Sequence, residues 1–245
     1  MSTIAIEADQ AHLWYVFHDC IDDAALIARY HGLLSAEERE RQQRFVFARH
    51  RHEYLVTRAL CRTTLSRYAD VDPAEWQFIR NKYGRPEIVR PSTVPPLRFN
   101  LSNSAGLIAC LVTRAIDAGV DVEDLHRKGE TVKIANRYFS PHELAALQAL
   151  PPDRQRHRFF EYWTLKESYI KARGMGLSIP LDQFSFHLEG NLPVTISFGP
   201  TLEDDPQAWQ FDRYRPSDRH LMAVAIRRGS GPPVRVDLRE TVPLR

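Results

Sequence analysis

Apolar and polar positions along the chain change period repeatedly, and each change predicts an element. Short apolar runs at residues 4–6 and 13–17 predict strands. Ser35 with Glu38 three residues later has the spacing of a capping box, which predicts a helix to about Phe47. Leu55, Val56, Ala59, Leu60 and Leu65 recur at helical spacing and predict a second helix from His52 to about Tyr68. Trp76–Arg80 predicts a strand, Tyr83-Gly84-Arg85-Pro86 a turn, and the proline-rich stretch 91–96 a loop. The runs RFNLS and GLIACLVT flank Asn103–Gly106 and predict a hairpin.

Further along, GVDVE (119–123) alternates, with Val120 and Val122 expected toward the core and Asp121 and Glu123 facing away. Residues 132–139 are expected to be helical. Ser140 and Glu143 form a second capping-box match, with Pro141 where a missing N–H costs nothing. A long helix follows from about Arg154 to Arg173, stopped by Gly174 and Gly176. Strands are expected at 184–188, 194–198, 209–214 and 221–226. GLIACLVTR (106–114) rhymes with HLMAVAIRR (220–228). This self-similarity suggests an α+β fold of two related halves, with a ligand cleft between them. The expected divisions are 1–115, 116–228 and, after the GSGPP joint, a flexible tail at 229–245.

Composition changes this picture little. With 43% hydrophobic and 26% charged residues the 245-residue chain is ordinary for a soluble globular protein. Charge is unevenly placed: seven arginines lie between Arg39 and Arg62 against only Glu40 and Glu53, with His50 and His52 among them. Such a run is either a solvated helix face or a surface for an anionic partner. Cys20, Cys61 and Cys110 offer neither a disulfide framework nor zinc spacing and are expected as buried, reduced thiols. The N-terminal stretch lacks the basic region of a signal peptide, and no run is long enough to span a bilayer. A cytoplasmic protein is expected.

Candidate chemistry concentrates in GVDVEDLHR (119–127) and FFEYWTLKESYIKARGMG (159–176). Side chains two apart on a strand share a face, so one cation can collect Asp121 and Glu123; Glu167 is the best third oxygen donor. Carboxylates without His or Cys favour a hard ion, above all Mg²⁺ with phosphate oxygens and water. The competing readings are structural: Asp121 and Glu123 as the exposed side of an edge strand, and Glu167 with Lys171 as an i, i+4 surface ion pair. Trp163 on that helix is equally consistent with core packing.

Together, GVDVE and WTLKESYIKARG resemble the two signature motifs of the Sfp-type 4'-phosphopantetheinyl transferases. RFVFARH (44–50), YGRPEI (83–88), FNLSNS (99–104) and GMGLSIPLDQFSF (174–186) match further family segments in order. The resemblance implies transfer of the 4'-phosphopantetheine arm of coenzyme A to a serine of an apo acyl- or peptidyl-carrier protein, releasing adenosine 3',5'-bisphosphate. It implies that Asp121, Glu123 and Glu167 are Mg²⁺ ligands, that Lys171 contacts the CoA phosphates, and that Glu167 is a candidate base toward the serine. Arg49, Arg80, Gly84, Arg85, Pro86, Ser102 and Asn103 then belong to the CoA cradle, and residues 1–115 to its nucleotide side. Asn103 departs from the pattern, where the family usually has histidine. The implied partners are CoA and an acidic helical carrier domain, with no nucleic acid and no membrane, and the implied state is a monomer whose two similar halves are in pseudo-twofold arrangement. A CoA-binding module without transferase activity is the second reading; a basic nucleic-acid-binding domain built on Arg39–Arg62 is the third.

Overall fold

The computed structural model describes residues 3–90, 95–129, 131–190 and 192–245. In chain order its elements are β1 (Gln10–Phe17), α1 (Ala24–Leu33), α2 (Ala36–Gln43), α3 (Ala48–Leu65), β2 (Gln77–Arg80), β3 (Pro86–Arg90), β4 (Leu97–Ser104) and β5 (Leu107–Arg114). There follow β6 (Ala118–Asp124), α4 (Thr131–Tyr138), α5 (Pro141–Gln148), α6 (Pro152–Arg173), β7 (Phe184–His187), β8 (Thr195–Phe198), β9 (Trp209–Ser217), β10 (His220–Arg227) and β11 (Arg235–Glu240). The fold is α+β, and the chain divides into two compact units. The first contains residues to Asn81, Pro86–Ala115 and Arg235–Arg245; the second contains Lys82–Arg85 and Ile116–Val234.

The first unit is built on a four-stranded sheet in the order β11-β1-β5-β4. β1 runs parallel to β11 and antiparallel to β5, and β4 is antiparallel to β5. Leu55, Val56, Ala59, Leu60 and Leu65, the helical stripe of α3, share one core with Val16, Ile108, Cys110 and Val112 of the sheet. Burying that stripe is what fixes α3 on the sheet. The capping box at Ser35 forms with both of its bonds, and Glu38 has a second task. Its carboxylate meets Arg58 at 2.6 Å and Arg62 at 2.8 Å, and Arg62 also donates to the carbonyls of Pro73 and Trp76. Part of the arginine run is therefore internal structure rather than a solvated face.

The second unit carries a three-stranded antiparallel sheet, β6-β10-β9, with the 22-residue α6 across β6 and β10. Gly119 sets how closely α6 approaches. A Cβ there would lie 2.2 Å from the Ser168 carbonyl oxygen and 2.4 Å from the Ala172 nitrogen, so only glycine fits. Gly174, at φ +63°, ends α6 in the left-handed region, its N–H returning to the Ile170 and Lys171 carbonyls. Beneath the helix lies a fully buried ion pair: Lys166 Nζ is 2.7 Å from Glu143 and donates to the carbonyls of Leu181 and Phe184. Glu143 in turn accepts from the N–H of Phe186.

Several expectations are corrected. Residues 4–6 are not a strand; Ile4 instead donates to the Arg67 carbonyl. Helix α1 was not expected; Asp23 caps it through the N–H groups of Ala25 and Leu26, and only Leu26 and Tyr30 of its residues are buried. The stretch 229–245 is not a free tail, since β11 pairs along β1 from Gln10↔Arg235 to Tyr15↔Glu240. Cys20 is exposed; Cys61 and Cys110 are buried and none is in a disulfide. Of the proline-rich loop at 91–96, residues 91–94 lie outside the described residues. Among the described residues no helix is long and apolar enough to cross a membrane.

Candidate active site

β6 is an edge strand, yet its acidic residues are not on a solvated edge. Asp121 is 5% and Glu123 6% exposed. Gly119, Asp121 and Glu123 share one face by strand alternation, and Gly119 marks that face as the one beneath α6. The expectation that the two carboxylates face away from the core is therefore overturned. Small and apolar partners on β10, Ala225, Ala223 and Leu221, stand opposite these three residues and leave the space under the helix to the carboxylates.

From the helix side Lys171 reaches Asp121, Nζ to Oδ1 at 2.7 Å. Glu167 lies one turn earlier and is half-buried. Arg127, which sequence reasoning did not single out, pairs with Glu123 at 3.2 Å; its i+4 position after the strand carried no helical signal. Burial pushes the Glu123 carboxyl up to about 7; the Asp121 charge adds to this, and Arg127 and Lys171 offset it only in part. Burial and then Asp121 push Glu167 up as well, against Lys171. Burial and the neighbouring Asp121 charge thus act in the same direction on Glu123 and Glu167.

These donors suit a hard cation in kind, since all are carboxylate oxygens and their mutual repulsion falls when a positive ion enters. They do not form a closed cage by themselves. Among the described residues no three or more His, Cys, Asp or Glu side chains are gathered as a metal site. Strand and helix each contribute, and Lys171 and Arg127 lie against two of the acids. Trp163 belongs to the packing alternative: it stacks on Phe159 and meets Tyr138 edge-on.

The other predicted residues fall into two groups. Arg80, Pro86 and Asn103 line a cavity of about 1080 Å³ within the first unit, together with Arg41, Arg58 and Glu53. Asn103 donates to the Glu53 carboxylate, and Ser102 is buried on β4 opposite Ala109. Arg49 is exposed at the start of α3, its guanidinium over the Phe47 ring at 5.4 Å. Gly84 and Arg85 belong to the second unit. Gly84 has φ +91°, which favours glycine there. Arg85 donates to Asp117 at 3.3 Å and to the Ala172 carbonyl at 3.2 Å, lying over Gly174 at the end of α6.

A helix laid over two acids on a strand, with a glycine where the two backbones meet, is accompanied by sequence likeness along most of the chain. Residues 117–225 match the 4'-phosphopantetheinyl transferase superfamily, and residues 24–114 match the N-terminal region of 4'-phosphopantetheinyl transferases. The chain belongs to this superfamily. A 4'-phosphopantetheinyl transferase of Bacillus subtilis is 39% identical over 196 residues, covering 80% of this chain and 83% of that protein. The 4'-phosphopantetheinyl transferase HetI of Nostoc is 30% identical over 223 residues, covering 91% and 90%. The 4'-phosphopantetheinyl transferase Sfp of Bacillus subtilis strain 168 is 33% identical over 199 residues, covering 80% and 83%.

Proposed function

We propose that this transferase moves the 4'-phosphopantetheine arm of coenzyme A onto a serine hydroxyl of an apo acyl- or peptidyl-carrier protein. The serine oxygen forms a bond to the β-phosphorus, the bond to the bridging pyrophosphate oxygen breaks, and adenosine 3',5'-bisphosphate leaves. The observation that carries the reading is the pair of buried acids Asp121 and Glu123 under the helix that bears half-buried Glu167, with Lys171 at 2.7 Å from Asp121.

Asp121, Glu123 and Glu167 would hold Mg²⁺. Bound there, the ion would draw charge from the pyrophosphate oxygens. Lys171 supplies a second positive charge on the same side, a point charge suited to phosphate. Glu167 takes the serine proton in this scheme, directly or through a water. Covering by α6 keeps the acids away from bulk water, which strengthens each of these interactions. Arg49, Arg80, Gly84, Arg85, Pro86, Ser102 and Asn103 are assigned to the CoA cradle. The guanidinium groups suit the phosphates by their planar donor geometry. We take the enzyme to act as a cytoplasmic monomer on an acidic helical carrier domain.

The test is direct. Incubation of the protein with CoA, Mg²⁺ and an apo carrier domain should add one phosphopantetheine arm by intact mass, and chelation with EDTA should stop it. Absence of any mass gain over several carrier domains, with tight CoA binding retained, would replace the enzyme by a binding module. A full rate in EDTA would remove the three carboxylates as an ion site.

A further inference from the structure

The turn between β4 and β5 follows two residues assigned to CoA, Ser102 and Asn103, and it is held by a histidine outside every segment discussed so far. His18 follows β1 directly and is 4% exposed. Its backbone N–H donates to the Gly106 carbonyl at 3.1 Å. Its ring accepts from the same residue: the Gly106 N–H points to His18 Nε2 at 3.0 Å. Gly106 sits at φ +90°, so this turn adopts a backbone shape that few other residues would take.

That second bond fixes the state of the ring. A nitrogen that accepts a hydrogen bond from an amide carries no proton, so the imidazole is neutral with its hydrogen on Nδ1. Asp19 Oδ1 lies 3.3 Å from Nδ1, close enough for charge to act but without a hydrogen bond between them. The same Nε2 is 3.4 Å from the carbonyl oxygen of Ser104. One nitrogen therefore faces a donor in the two-residue turn, Gly106, and an acceptor at the end of β4, Ser104. Neutral, it holds Gly106; protonated, it repels the Gly106 N–H and its nearest acceptor is Ser104.

We propose that His18 is a positioning residue that keeps the β4–β5 turn in its CoA-receiving shape while neutral, and exchanges Gly106 for Ser104 when protonated. The proposal rests on the assignment of Ser102 and Asn103 to the cradle. The charged groups facing the ring are Asp19 beside it and, from α3, His52 and Glu53. The His52 ring stands 5.9 Å away by centroids, and its Nε2 is 2.9 Å from the His18 carbonyl oxygen. Burial lowers the proton affinity of His18; Asp19, the Ser104 carbonyl and Glu53 raise it, His52 lowers it, and the outcome is downward from 6.5. The exchange thus lies on the acid side of pH 6.5, and the neutral, holding form prevails at pH 7 and above.

Two variants and one spectroscopic measurement test this. In His18→Gln the amide oxygen can accept from Gly106 but cannot be protonated. Its KM for CoA should match the wild type at pH 7.5 and stay flat on acidification, where that of the wild type climbs. In His18→Leu the Gly106 N–H loses its acceptor, and KM for CoA should rise about tenfold at all pH values with kcat unchanged. Independently of activity, the backbone amide signal of Gly106 in the full-length wild-type protein should titrate with the same midpoint as the His18 ring protons, and should not titrate in His18→Gln. A Gly106 amide that ignores His18, or a His18→Gln profile superimposable on the wild type, overturns the proposal. If the wild type neither binds CoA nor transfers the arm, the function is wrong, and the Gly106 titration still decides the role of His18. Should His18→Leu fail to fold, the titration and His18→Gln decide it alone.

Discussion

The two units solve the same packing problem and differ in what they do with buried charge. Each lays one long helix on an antiparallel pair whose inner strand is buried almost throughout: α3 against β5, and α6 against β10. Each also hides an ion pair. In the first unit Glu38 is shared by Arg58 and Arg62, and the rest of the Arg62 fork is taken up by carbonyls. In the second, Glu143 and Lys166 satisfy one another and the backbone around them. Between β6 and α6, by contrast, like charges come near one another: buried Asp121 and Glu123 and half-buried Glu167, the two glutamates with raised proton affinity. Buried charges that satisfy each other hold a fold together, whereas buried like charges left in conflict cost stability and mark the place where chemistry is done.

That contrast can be broken most sharply at Glu167. Glu167→Gln should lower the transfer rate by about 100-fold or more while leaving the melting temperature unchanged or raised, since it removes one of three like charges. Intact mass kinetics and a thermal melt on the same sample check both halves. A variant that is active, or inactive only because it is unfolded, removes the distinction.

The converse is expected at Glu143, where a satisfied pair is opened and no assigned substrate contact is lost. Glu143→Ala strands the Lys166 ammonium in the core and should cost about 3–5 kcal/mol, read from urea unfolding. Adding Lys166→Met should recover most of that loss; no recovery would mean that the pair's bonds to Leu181, Phe184 and Phe186 matter more than its charge. A smaller effect is expected at Gly119. Gly119→Ala forces α6 off β6 against backbone atoms that cannot rotate away, for about 1–3 kcal/mol. The transfer rate should fall with it, because Lys171 and Asp121 are set by that spacing. An unperturbed Gly119→Ala would show that the close approach is not what holds the acids under the helix.

Much of this was legible in the sequence because the signals were local. The two capping boxes at Ser35 and Ser140 formed with both of their bonds, and the stripe from Leu55 to Leu65 fixed α3 because periodicity records which face is buried. The rhyme of residues 106–114 with 220–228 corresponds to two inner strands with the same burial pattern, each ending on an exposed arginine. What could not be read was tertiary. Alternation placed Asp121 and Glu123 on one face correctly but could not say that a helix covers it; Gly119 held that information, and a glycine has no side chain to announce its neighbour. Arg58 and Arg62 looked like part of a surface run because their partner, Glu38, is 20 and 24 residues away. β11 was missed since its alternation is weak, and its strand character comes from β1, more than 200 residues earlier.

Strand β11 also sets an order of events during synthesis. The first unit is discontinuous: its sheet is left at Ala115 and resumed at Arg235, and the second unit occupies most of the interval. On the ribosome, β1, β5 and β4 can pair once residue 114 has emerged, but one edge of β1 stays open until residues 235–240 follow. All of β6 to β10 is made in the meantime. A nascent chain therefore carries a vacant strand position, flanked by Leu13 and Tyr15, for as long as the second unit takes to be translated. Unpaired edges of that kind invite pairing with other chains, so a chain released between residues 115 and 235 would keep this edge of β1 open.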